Sequence, residues 1–209
     1  MESAGTEPSP RKNLTAEARR ELLTQAALRV MKRDGVAAAT TRAICAEAGM
    51  PHGAFHYCFR SKRELYAALL ATDINVDLSA VWPAVDPAAP PVDNLRTLFR
   101  AYWEAVVADP EAQRVLTDLT GLALREPELR GLPAWEHRSY LERTAADLER
   151  FAEQAHVEYA HGTAEMADLV LTVVSGATTL WLAHGDDDAA RRTLDRYAVL
   201  LAALVRPRP

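Results

Sequence analysis

An all-α chain of about nine helices, with a three-helix head and a larger helical body, is what these 209 residues predict. Three observations carry that expectation. Apolar residues recur at helical spacing along most of the chain, cap residues bracket the periodic segments, and no stretch alternates as a strand would. An apolar content of 49% with only 9 Gly and 12 Pro is ordinary for a chain that buries a sizeable core.

The first fourteen residues, opening MESAGTEPSPRKN, hold no apolar run and read as a polar, disordered tail, neither signal peptide nor anchor. Leu22, Leu23, Ala26, Ala27, Val30 and Met31 then mark a first helix, with Thr15 suited to its N-cap and Gly35 to its stop. Thr40 caps a short second helix through Ala48, closed by Gly49. A third begins at Pro51, whose missing N–H does no harm in a first turn, and ends near Phe59. Ser61 and Glu64 form an S-x-x-E capping box for a fourth helix carrying Leu65, Tyr66, Leu69 and Leu70. Prolines 83, 87, 90 and 91 then break the pattern. Beyond them, helical segments are expected at roughly 93–109, 111–125, 134–160, 163–184 and 187–205, with no internal repeat. The expected organisation is a tail over 1–14, a head over 15–62, and a connecting helix with the body over 63–209.

Charge is divided unevenly. Residues 1–66 hold 11 Lys and Arg against 7 Asp and Glu, whereas residues 67–209 hold 13 against 22. A basic end on an acidic body suits a head that meets a polyanion, although chance variation in surface charge gives the same numbers. The apolar run MADLVLTVVSGATTLWLA is interrupted by Asp168, Ser175 and Gly176 and reads as too short to span a membrane, so a cytoplasmic chain is expected. Cys45 and Cys58 make no disulfide framework and should stay reduced.

Short second and third helices joined at Gly49-Met50 behind a packing helix make a helix-turn-helix, whose second member enters a major groove. A helical wheel on the third helix puts Phe55, Phe59 and Cys58 on one inward face. Gly53 and Tyr57 lie opposite, flanked by Ala54 and His56, with His52 at the exposed first turn. The same wheel bears on chemistry. His52 and His56 share a side as zinc-binding pairs do, but Cys58 points about 160° away from His56, so the three do not converge on one ion. No metal or other cofactor is expected, and both cysteines read as small buried hydrophobes. An enzyme using His52, His56 or Cys58 lacks a converging base, and no G-x-S-x-G, H-E-x-x-H or nucleotide-binding glycine loop appears elsewhere. A helical protein-interaction module stays open as the other alternative.

The run AALRVMKRDGVAAATTRAICAEAGMPHGAFHYCFRSKRELYAALL, within Glu21–Leu70, closely resembles the DNA-binding head of TetR-family transcriptional regulators. Its landmarks come in order: T-T-x-x-I-x-x-x-A-G, then G-x-x-x-x-F, then S-K-x-x-L. The resemblance implies that Thr40, Arg42 and Lys62 contact phosphates and that His52, Gly53, Ala54, His56 and Tyr57 form the groove-facing surface of a repressor on double-stranded DNA. Two positions depart from the family pattern. Pro51 stands where a serine or threonine is usual, and His56 where a tyrosine is usual, with Tyr57 one place later. A histidine there is expected to make DNA affinity depend on pH near neutrality.

The resemblance further implies a homodimer on a palindromic operator, paired through the last two helices, here Trp181, Leu194, Tyr197, Leu201 and Leu204; burial in the chain's own core is the alternative. It implies an effector pocket in the body. Candidates are Phe99, Tyr102, Trp103, Leu116, Thr120, Trp135, Tyr140, Thr144, Phe151 and Thr172, a mixture of aromatic surface and hydroxyls, although each taken singly also reads as core. The effector itself is not named by the sequence; the acidic body leaves a cation open. Binding is expected to move the fourth helix and release the operator.

Overall fold

The computed structural model describes residues 14–71 and 85–208, so residues 1–13 of the polar tail and residues 72–84, Pro83 among them, lie outside the described residues. Nine α-helices and one short strand pair make up the described chain, which divides into two compact units between Leu69 and Leu70. The sequence reading closes the head at residue 62; by contacts, the fourth helix groups with the head as far as Leu69.

In the head, α1 (Ala16–Asp34) starts where Thr15 Oγ1 accepts the Ala18 N–H at 3.1 Å. It stops where Gly35, at φ 86°, donates its N–H to the Met31 carbonyl. Its inward face is Leu23, Ala26, Ala27, Val30 and Met31, all nearly inaccessible. Burying each of the larger side chains is worth about 1.5–3 kcal/mol, which holds α1 as the packing post of the head. Thr40 caps α2 (Thr41–Glu47) by accepting the Ala43 N–H at 3.2 Å. Glu47 at the end of α2 is gripped from α1 by Arg29 Nε at 2.9 Å and an Arg33 guanidinium nitrogen at 3.0 Å. These bonds, Arg29 foremost, hold its carboxyl below the usual range. α4 (Lys62–Ala71) opens as expected with the Glu64 N–H on Ser61 Oγ at 3.3 Å; Glu64 reaches back to the Arg60 N–H at 3.0 Å, one residue before the box position.

α3 is shorter than the sequence suggests. It runs only from Ala54 to Cys58, and Pro51–Gly53 is a turn. Pro51 brings no N–H, and Ala54 N–H bonds back only three residues, to the Pro51 carbonyl, so regular α-helix begins later than Pro51.

The body holds α5 (Pro91–Ala108), α6 (Pro110–Ala123), α7 (Leu132–Gln154), α8 (Thr163–His184) and α9 (Asp187–Ala202). α5 and α9 run antiparallel, since Arg96 meets Asp195 near one end and Trp103 meets Asp187 near the other. Buried Asn94 fixes the approach to α5: its Oδ1 accepts the Asp86 N–H and its Nδ2 donates to the Asp86 carbonyl. The core joins Leu95, Phe99 and Val106 to Met166, Val170 and Val174 and to Ala190, Leu194, Ala198 and Leu201.

Two body helices stop short of the expected ends. α7 leaves helix at Gln154, where His156 takes φ 52°, and α9 at Ala202. The residues beyond them form an antiparallel pair, β1 (Val157–Tyr159) with β2 (Val205–Pro207), in register Glu158 to Arg206. The expectation of no strand therefore fails here. A three-residue strand is too short for alternation to register, and Leu204 and Val205 continue the apolar spacing of α9 past its last helical bond.

α8 also corrects an expectation. At 22 residues and mean hydropathy 1.5 it is long and apolar enough to cross a membrane by length and composition alone. Its apolar character has another use, because Met166, Ala167, Val170, Val173, Val174 and Ala177 pack into the body core.

Candidate nucleic-acid interface and effector cavity

The outward surface of the head is built on a fully buried floor. Phe55 and Phe59 are 2% and 1% exposed, with ring centroids 5.3 Å apart. Because they sit four residues apart, the side chains between and before them turn outward. Tyr57 is 92% exposed, His52, Gly53 and His56 are exposed, and Ala54 is half-buried. The His52 and His56 rings meet edge to face at 6.2 Å. Thr40, Arg42 and Lys62 are exposed on the neighbouring helix starts. Thr40 uses a lone pair for its cap, so its hydroxyl proton is free to donate to a phosphate oxygen.

Two residues that fix this surface escape a motif reading. Arg20, on α1, donates to the Cys58 carbonyl at 2.7 Å, lies over the Phe59 ring at 4.3 Å, and sits 3.7 Å from Glu64. It closes the C-terminus of α3, where the last carbonyls lack helical partners and a cation is favoured. Buried Cys45 donates its thiol to the His52 carbonyl at 3.4 Å, tying α2 to the turn before α3. Cys58 corrects the wheel: it is half-buried rather than core, because α3 ends at that residue and the wheel loses its phase there. Burial still pushes its thiol up.

The turn between α2 and α3 depends on Gly49, at φ 64°, with Met50 N–H on the Cys45 carbonyl at 2.8 Å. Gly49→Ala is expected to cost about 1–2 kcal/mol, since a Cβ is disfavoured in left-handed backbone. Chemical denaturation of the purified protein, read at the head by backbone amide exchange, checks it; an unchanged exchange rate would contradict the assignment.

In the body, α5 to α8 line an open cavity of about 350 Å³. Four of the expected pocket residues line it: Tyr102, Leu116, Thr120 and Tyr140. From α6 come Gln113 and Thr117, from α7 Pro133, Glu136 and His137, and from α8 Ser175, Thr178 and Thr179, none of which the sequence singled out. Tyr102 hydrogen-bonds Thr178 Oγ1 at 2.7 Å, and burial pushes its phenol up to about 12, so it is neutral. The Tyr140 hydroxyl donates to Glu136 Oε1 at 3.3 Å, and burial raises the Glu136 carboxyl.

The remaining candidates lie elsewhere. Phe99 and Trp103 are core residues beneath a second groove of about 410 Å³, between α5 and α9, which is edged by Arg96, Arg100, Arg191, Arg192 and Arg196. Phe151 lines a small apolar cavity with Leu95 and Met166. Thr144 is buried, Trp135 is 40% exposed, and Thr172 is exposed on α8. Of the residues expected to pair with a partner, Leu194 and Leu201 are buried in the chain's own core, Leu204 packs against that core, and Trp181 packs edge-on against Trp103 at 5.4 Å. Only Tyr197 is outward.

Residues 23–69 match the model of the bacterial regulatory proteins of the tetR family. Over 91 residues, 44% of its length, the chain is 33% identical to the HTH-type nicotine-responsive transcriptional repressor HdnoR of Paenarthrobacter nicotinovorans; the match spans about half of that relative, 47%. Among solved structures, a TetR-family member from Streptomyces coelicolor A3 is 28% identical with a TM-score of 0.62, covering 85% of this chain and 96% of that one. The multidrug binding protein EbrR, complexed with imidazole, is 25% identical with a TM-score of 0.63, covering 91% and 96%. A capped helix-turn-helix that matches the tetR-family model over residues 23–69, on a helical body that shares its fold with a TetR-family structure along nearly its whole length, is what this chain has in common with those bacterial regulatory proteins.

Proposed function

We propose that the chain is a cytoplasmic, ligand-responsive repressor that binds a palindromic operator as a homodimer and is released by a small molecule held in the α5–α8 cavity. The observation that carries the reading is the contrast on α3, where Tyr57 stands almost fully in solvent beside two exposed histidines while Phe55 and Phe59 are inaccessible. An aromatic hydroxyl and one imidazole on the short helix, with a second imidazole in the turn before it, stand in solvent and offer donors to phosphates and base edges. The flanking Thr40, Arg42 and Lys62 supply contacts that position rather than specify.

Pairing is supported by the faces that the body leaves uncovered. Leu180 on α8 is 61% exposed and Leu200 on α9 is 62% exposed, with Tyr197 and Val199 beside it on α9 and Gly176 one turn from Leu180 open to close approach. Exposed apolar patches of this kind mark interfaces, and two heads on one symmetry axis suit two half-sites. Effector release then works as a population shift, in which a ligand that prefers one body conformation alters the spacing of the heads.

The test is a gel shift on DNA flanking the protein's own coding region, with Tyr57→Ala and unrelated DNA as controls. A specific shift that Tyr57→Ala removes is expected. Binding indifferent to both Tyr57 and DNA sequence would leave only a basic helical module. Repeating it at pH 6 and 8 at constant salt, with His56→Gln alongside, shows whether imidazole charge contributes to affinity.

A further inference from the structure

We propose that the effector is a protonated amine of modest size, with Glu136 as its counter-ion. This rests on the ligand-responsive reading above and names the chemistry of its cavity. Twelve residues line the cavity and none is lysine or arginine. Glu136 is the one carboxylate among them. Among the described residues its partner is the Tyr140 hydroxyl, on one oxygen only, and no cationic side chain pairs with it. The nearby Arg143 is engaged over the Tyr140 ring at 5.1 Å instead. His137, the one lining residue that can carry a positive charge, turns toward Asp168 at 3.5 Å.

A carboxylate drawn partly out of water without a cation is costly, as the upward displacement of its titration shows. An arriving ammonium restores the missing partner. The rest of the lining suits the same guest: Thr117, Thr120, Ser175 and Thr179 present hydroxyl oxygens that accept from N–H donors. An anion would meet Glu136 with no compensating charge, and a neutral ligand would leave it unpaired. A volume of about 350 Å³ falls at the low end of ordinary ligand sites, which suits a compound of one or two rings.

The test uses one frame in three charge states, 4-phenylbutylammonium, 4-phenylbutanol and 4-phenylbutyrate, together with nicotine, which is protonated at neutral pH, and cotinine, its neutral lactam. Affinities are measured by calorimetry for the full chain, for Glu136→Gln and for Glu136→Asp, with thermal melts confirming that each variant folds. The expected result is binding of both cations, at least tenfold weaker binding of their neutral and anionic counterparts, and at least a tenfold loss of cation affinity in Glu136→Gln that Glu136→Asp largely spares. Cations that fail to bind, bind no better than the matched alcohol, or bind Glu136→Gln equally well overturn the proposal. Operator release is measured separately in the same samples. If the alcohol or the acid releases the DNA and Glu136→Gln is indifferent, the cation falls and the ligand-responsive reading stands. If cations bind through Glu136 and DNA affinity never moves, the site stands and the ligand-responsive reading falls.

Discussion

Phe59→Ala is expected to abolish operator binding by melting the head while leaving the body folded. Phe59 is 1% exposed, touches Phe55, and carries the Arg20 guanidinium on its ring face. Truncating a buried phenylalanine costs about 3–5 kcal/mol. It also takes away the surface on which Arg20 lies while that residue holds the end of α3. A compact unit closing near Leu69 has little stability to spare, since small domains bury a smaller share of their surface. Amide exchange should therefore show the head exchanging at the rate of unfolded chain, with protection in α5, α8 and α9 retained. Tyr57→Ala is the matched control, because its side chain is outside the core. Both variants should lose the specific shift, but only Phe59→Ala should lose head protection. Loss of protection in both would mean that Tyr57 is structural and that the proposed groove-facing surface is misassigned.

The head was legible because its signals are local. Thr15, Thr40 and Ser61 each cap the helix start they were expected to cap, and the four-residue spacing of Phe55 and Phe59 sets which side of α3 is buried. What failed there failed at helix ends. The turn over Pro51–Gly53 and the half-buried Cys58 both lie where helical periodicity no longer applies. Arg20 was illegible for a different reason, since its partner carbonyl lies 38 residues away and no spacing rule connects them. In the body the bias was toward aromatic residues. Phe99, Trp103 and Phe151 read as pocket residues for their rings and are buried beside other cavities, Phe99 and Trp103 at the α5–α9 groove and Phe151 at the small apolar one, because which cavity a ring meets is set by the phase of one helix against the next. Gln113, Glu136 and Thr179 converge only because α6, α7 and α8 are rotated to bring them together. The stripe on α9 misled for a related reason: one apolar face reads the same whether it meets its own core or a second copy, and Leu194 and Leu201 meet their own.

Trp103→Ala should lower the stability of the body by about 3–5 kcal/mol, the usual range for emptying a buried aromatic site. Trp103 has no exposed surface, packs edge-on against Trp181, and donates its indole N–H to Asp187 at the start of α9. Trp103→Phe separates these contributions through their pH dependence, because it keeps a six-membered ring and loses the donor together with the volume of the five-membered ring. A hydrogen bond to a charged acceptor is worth about 1.5–3 kcal/mol when well buried, and the Asp187 side chain is 45% exposed, so about 1 kcal/mol of the Trp103→Phe penalty is expected from the bond, the rest from lost packing. Asp187 supplies the pH signature. Arg191 first, and then the Trp103 N–H, hold its carboxyl below the usual range. Its contribution is therefore present above the unfolded carboxylate range and is lost as pH falls through the lower folded value. Trp103→Phe should accordingly become less destabilising relative to wild type in acid, and the gap should be widest near neutrality. Denaturant titrations at pH 3 and pH 7 measure both. A Trp103→Phe penalty that is the same at the two pH values would mean that the bond to Asp187 adds nothing, leaving packing against Trp181 and the α9 core as what holds α5 in place.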